Sequence, residues 1–124
     1  MLVLVSDLDG TLLDQRERTV QAHVIALNRA GYDINGDRIR SLYRLTLNSK
    51  ELLANLNIRL SRHKLSQYIA NLQEAFRSGR KHTRIIPGVL EALNELRPRI
   101  HAMQLISSRW HAEDTRHEVQ KFGF

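Results

Sequence analysis

The residues best suited to chemistry are Asp7 and Asp9, in the opening stretch Met1-Leu-Val-Leu-Val-Ser-Asp7-Leu-Asp9-Gly10-Thr11-Leu-Leu-Asp14. The apolar run Leu2 to Val5 predicts a fully buried strand. After Ser6, two carboxylates two positions apart follow it. Like charges brought together are costly unless a cation or a shared proton relieves them. The pair therefore points to cation-assisted or proton-transfer chemistry. At the carboxyl end of a parallel strand it occupies the position where open α/β sheets carry their sites. An Asp-Gly turn after an edge strand would account for Gly10, but it leaves Asp7, so close behind a buried run, without a reason.

The elements that must position this pair follow from periodicity. Residues 16–30 carry Val20, Val24 and Leu27 on one helical face, with Gly31 as a C-cap. Asp33-Ile-Asn35-Gly36 reads as a turn, followed by a short helix over 37–43. Asn48 or Ser49 is suited to cap another helix, carrying Leu52, Leu53 and Leu56. The strongest helical pattern runs over 61–80, where Leu65, Tyr68, Ile69, Leu72, Ala75 and Phe76 share one face. No strand pattern interrupts residues 15–84, which read as a small helical bundle. Ile85-Ile86-Pro87-Gly88 then opens a helix bearing Val89, Leu90, Leu93 and Leu96. A strand over 100–107 and a helix over 111–121 complete the chain, with Gly123 as a C-cap.

With 124 residues there is room for one modest core. The absence of cysteine excludes disulfides and thiolate metal sites. The N-terminal apolar run is too short to span a membrane and lacks a basic leader, so the expected location is cytoplasmic. The net charge of +6 is unevenly spread. Residues 15–84 hold 14 Lys/Arg against five Asp/Glu, and the remainder holds five against eight. A basic segment near an anionic substrate's site would draw that substrate in, although solvated helix faces look the same in sequence. Nucleic-acid binding is not expected, because the densest basic run, Arg77 to Arg84, has no interleaved aromatics. The histidines show no zinc-ligand spacing. His23, near the apolar stripe of the first helix, reads as a packing residue, and Trp110 as a packing or pocket-rim residue.

Asp7-Leu8-Asp9-Gly10-Thr11-Leu12 resembles the first signature of the haloacid dehalogenase (HAD) superfamily, an apolar strand followed by Asp-x-Asp-Gly-Thr. Ile86-Pro87-Gly88-Val89-Leu90 is similar to the segment by which many members return from a helical cap inserted after the first strand. Met103-Gln104-Leu105-Ile106-Ser107-Ser108-Arg109 is similar to the second signature, an apolar strand ending in Ser or Thr. The resemblance implies an α/β fold. Its core is an incomplete Rossmann-like one, with parallel strands near 1–7 and 100–107, built from residues 1–14 and 85–124. Residues 15–84 form the inserted cap, a lid that supplies specificity contacts; Arg44, Thr46 and Asn48 are candidates for these.

By the same resemblance Asp7 is the nucleophile of an aspartyl-phosphate mechanism and Asp9 the general acid and base. Mg²⁺ is the implied cofactor, bound by the Asp7 carboxylate and the Asp9 backbone carbonyl. Gly10 turns the backbone, Thr11 offers a hydroxyl to the turn or to Asp7, and Ser107 and Ser108 bind the phosphoryl group. Arg109 is a candidate substrate contact. An acid at the Asp9 position points away from dehalogenation, since a halide leaving group needs no proton.

The implied reaction is Mg²⁺-dependent hydrolysis of a small phosphorylated metabolite, as in the phosphoglycolate phosphatase group. A sugar phosphomutase and a non-catalytic phosphate- or polyanion-binding remnant are the alternatives. The family's later strands, with their Lys or Arg and their Gly-Asp segment, have no counterpart before Phe124, and Lys121 precedes the strand that would carry the lysine. The 124 residues are therefore expected to be a truncated form with weak activity. The first strand would then leave a sheet edge open to self-association or to completion by another chain.

Overall fold

The computed structural model describes residues 1–43, 48–109 and 111–124. Arg44, Thr46 and Trp110, singled out above, lie outside the described residues. The elements run β1 (Val3–Asp7), β2 (Leu13–Asp14), α1 (Arg16–Arg29), α2 (Gly36–Leu42), α3 (Ser49–Asn55), α4 (Arg62–Ser78), β3 (Arg84–Ile85), α5 (Val89–Leu96), β4 (Ala102–Ile106) and α6 (Ala112–Lys121). Two compact units result, one of residues 1–15 and 83–124, the other of residues 16–82.

In the first unit β1 and β4 pair in parallel, from Val3 opposite Ala102 to Asp7 opposite Ile106. β2 and β3 pair antiparallel over two residues each. Leu8, Leu12 and Leu13 form the buried centre, packed by Met103 and Leu105 of β4, Val119 of α6, and Phe122 and Phe124. Alternation along a strand sends neighbouring side chains to opposite faces, so only one face of the β1–β4 pair is covered. Val5 on the other face is 53% exposed and Ile106 is 62% exposed. This corrects the expectation of a fully buried first strand. An apolar run shows that a strand can be buried, whereas its burial depends on the layers laid against it.

In the second unit the helices enclose a separate core of Val20, Ala26, Leu27, Ile39, Leu52 and Tyr68 with their neighbours. Local signals set the helix ends. Asn48 accepts from the Glu51 amide at the start of α3, and Ser61 accepts from the Lys64 amide at the start of α4. After α1, Gly31 adopts φ +93° and the Tyr32 amide returns to the Leu27 carbonyl, a left-handed cap that a side chain would strain.

Two polar residues tie α1 to α4. Arg18 is buried, and its Nε donates to the Phe76 carbonyl at 2.6 Å while the guanidinium lies 4.1 Å from the Phe76 ring centroid. It thereby places positive charge on carbonyls at the end of α4, where the helix dipole favours it. His23 is likewise buried, as its packing assignment implied, and shares a 2.5 Å hydrogen bond with Tyr68 Oη. Burial holds the His23 pKa down at about 4 and raises that of Tyr68. At the surface, Glu17 receives the Arg40 guanidinium, whose hydrogen bond, with a second from Gln21, lowers the Glu17 pKa to about 2.

Two outcomes follow. Arg18→Met is expected to cost about 2 kcal/mol in urea-unfolding stability, since it strips a charged donor from the carbonyls at the end of α4. Neutral His23 contributes stability that is whole above its ordinary pKa of 6.5 and is lost as pH falls toward 4. The loss reaches about 3 kcal/mol. Unfolding measured between pH 7 and 4 is expected to show this slope, and His23→Gln to flatten it.

Candidate functional site

The site forms where β1 ends and the chain hooks back on itself. The Leu8 carbonyl accepts from the amides of Thr11, Leu12 and Leu13, at 3.3, 2.9 and 3.0 Å. Gathering three donors on one oxygen requires an abrupt reversal, which Gly10 supplies with φ +81°. The hook leaves Asp7 exposed at the strand end and swings Asp9 away from it into a half-buried position. Thr11 Oγ1 donates to Asp7 Oδ2 at 3.2 Å, so of the two roles open to Thr11 the structure shows the contact with Asp7.

The parallel register carries the second segment to the same place. Asp7 lies opposite Ile106, so Ser107, Ser108 and Arg109 leave β4 beside the hook. Ser107 and Ser108 are exposed, and Ser107 Oγ accepts from the Arg109 amide at 3.2 Å, which fixes the turn after β4. Asp7, Gly10, Thr11 and Ser107 are therefore gathered at one end of the sheet. Asn48, by contrast, is engaged as a helix cap.

One charged pairing in this region was not evident from the sequence. Arg109 Nε donates to Asp9 Oδ2 at 2.7 Å and its Nη2 to Oδ1 at 2.6 Å, a bidentate pair across 100 positions of sequence. Its remaining nitrogen, Nη1, lies 3.1 Å from Glu118 Oε2 on α6. The three side chains are 21%, 10% and 4% exposed in the order Asp9, Arg109, Glu118. Burial works against the Arg109 charge, but the two carboxylates outweigh it and the guanidinium pKa is raised. Planar two-point pairing of this kind is the form in which arginine binds carboxylates and phosphates most strongly. Sequence offered Arg109 only as a substrate contact, and Glu118 only as a helical residue with no signal of its own. A cleft of about 380 Å³ opens beside them, lined by Leu8, Leu105, Ser107, Arg109, Thr115 and Val119 among others.

Among the described residues no group of three or more His, Cys, Asp and Glu side chains gathers as a metal site. The Asp7 carboxylate and the Asp9 carbonyl offer two hard oxygen donors, a set that fits a divalent ion keeping several of its waters. No helix among the described residues is long and apolar enough to cross a membrane.

Comparison with known proteins agrees with the fold. The model of the haloacid dehalogenase-like hydrolase family matches residues 4–124. No curated protein matches the chain significantly. Several solved structures share the fold. A Clostridium difficile protein described provisionally as a phosphatase is 17% identical with a TM-score of 0.80, over 98% of this chain and 55% of that one. A Haemophilus somnus protein described by prediction as a phosphoglycolate phosphatase is 14% identical with a TM-score of 0.73, over 98% and 57%. A Thermotoga maritima protein described provisionally as a β-phosphoglucomutase is 21% identical with a TM-score of 0.65, over 98% and 56%. The chain thus spans just over half the length of these structures.

The largely buried ion triad generates an outcome of its own. Glu118→Ala removes the partner that fixes Arg109 from below and is expected to lower stability by about 2 kcal/mol, read as a reduced melting temperature.

Proposed function

The chain belongs to the haloacid dehalogenase-like hydrolase family, and on that footing we propose that it carries the reacting half of a Mg²⁺-dependent phosphatase for a small phosphorylated metabolite. One observation carries the reading. Asp7 stands exposed at the end of β1 with the Thr11 hydroxyl on one carboxylate oxygen, while the register sets Ser107 at the end of the neighbouring strand. An exposed carboxylate beside hydroxyl groups is the equipment for attack on phosphorus.

In the proposed reaction an Asp7 oxygen bonds to phosphorus and the ester P–O bond breaks. Asp9 gives a proton to the departing alkoxide oxygen. Water, losing a proton to Asp9, then attacks the phosphorus of the aspartyl-phosphate, which returns the Asp7 carboxylate and releases phosphate. Ser107 and Ser108 donate hydrogen bonds to the phosphoryl oxygens. The Asp7 carboxylate and the Asp9 carbonyl would hold Mg²⁺, which when bound offsets the charge between carboxylate and phosphate. Phosphoglycolate is a reasonable first substrate, given the Haemophilus somnus structure. Transfer to a sugar hydroxyl is the second reading, suggested by the Thermotoga maritima structure. A cytoplasmic setting suits a metabolite of this kind.

The test is adduct formation. With Mg²⁺ and beryllium fluoride the wild-type chain is expected to give a bound ¹⁹F NMR signal that Asp7→Asn abolishes. A signal surviving that substitution, or none in the wild type, overturns Asp7 as nucleophile. Because the chain spans just over half of the matched structures, its hydrolysis of p-nitrophenyl phosphate is expected to be weak. Robust Mg²⁺-dependent turnover abolished by Asp7→Asn would contradict that expectation.

A further inference from the structure

We propose that Arg109 is a latch on Asp9, and that the phosphoryl group of the substrate opens it by taking the carboxylate's place on the guanidinium. The inference rests on the phosphatase reading for its ligand, but the latch is a feature of the geometry. Nε and Nη2 of Arg109 address both Asp9 oxygens at 2.7 and 2.6 Å. A general acid must bring one of those oxygens to the leaving group, and here both are turned to Arg109. The pair has to part before Asp9 can serve.

What can part it is set by shape and charge. A phosphoryl group presents two oxygens to a guanidinium much as a carboxylate does, and with greater charge. Glu118 decides which partner moves. It is 4% exposed on α6 and holds Nη1 at 3.1 Å, so Arg109 is anchored from beneath. Asp9 lies on the glycine-hinged hook and is the more exposed of the two carboxylates. Exchange therefore leaves Arg109 in place and releases Asp9. Arg109 is on this account a positioning residue for Asp9 in the empty site and a phosphoryl contact in the filled one. Ser107, next to Arg109 in the turn and on the same cleft, lies within the region the phosphoryl group would enter.

A latch closed nine-tenths of the time weakens phosphate binding about tenfold, because only the open fraction binds. Binding of inorganic phosphate at fixed Mg²⁺ concentration, followed by calorimetry, tests this as a double-mutant cycle. Asp9→Asn is expected to tighten binding about tenfold, and to change it less than about twofold in an Arg109→Gln background. Equal tightening in both backgrounds would mean that Asp9 merely repels the anion, and overturns the latch. No tightening in either also overturns it. Should Arg109→Gln fail to fold, the Arg109 Nε–H resonance of the wild-type chain decides: phosphate is expected to shift it, and an unmoved resonance in a chain that binds phosphate overturns the proposal. Phosphate binding without coupling removes the latch alone. Absence of phosphate binding from every variant removes the latch and the phosphatase reading together.

Discussion

Everything at the site depends on one parallel strand pairing. β1 and β4 are separated by almost the whole chain, and their five-residue ladder brings residues 7–11 and 107–109 to one end of a sheet. Backbone hydrogen bonds set the register, and a slip of one residue would turn every side chain of a strand to the other face. Met103 and Leu105 resist such a slip, because they pack into the cluster around Leu8 and Leu13. The apolar core thus fixes the positions of polar groups that contribute little to it. The grouping of polar side chains at the carboxyl end is a by-product of the register, and the hook at Gly10 separates Asp7 from Asp9.

The two units solve different physical problems. The helical unit has a core of its own and anchors its longest helix with a buried arginine and a His–Tyr pair. Its stability is local and titrates with acid. The strand-bearing unit has a small core and one uncovered sheet face, and it invests in a largely buried ion triad at the carboxyl end of its strand pair. A buried triad is weak evidence of stability, since desolvation consumes much of its attraction. Its value lies in orientation: three side chains from three segments can satisfy one another in few arrangements.

Much of this could be read from local sequence. Asp-x-Asp-Gly-Thr is contiguous, so its turn and its exposed acid follow from neighbouring residues. The helices over 16–30 and 61–80 have long apolar stripes, and the Asn48 and Ser61 caps lie where capping chemistry puts them. The features that escaped are those without local signal. Arg109 and Glu118 look like solvated charges until the fold sets them against Asp9. Arg18 occupies a helix position that periodicity cannot distinguish from surface. β2 and β3 are two residues long, too short for any alternation to register. The uncovered face of β1 escaped because apolar composition reports a strand's capacity for burial and says nothing about the layers available.

That brief pairing of Leu13–Asp14 with Arg84–Ile85 has a wider consequence. It closes the base of the long excursion from residue 15 to residue 83, so the strand-bearing unit meets the intervening chain as two adjacent ends. The entropy of closing a loop grows only logarithmically with its length, by about 0.6 kcal/mol per doubling. A clasp at the base therefore makes the size and content of the excursion nearly a free variable. Helices can be lengthened, exchanged or replaced between the clasped ends while the register of β1 on β4, and with it the grouping of Asp7 and Ser107 at one sheet end, stays as it is. Two short strands thus let the helical excursion vary without disturbing the strand pairing on which the other unit is built.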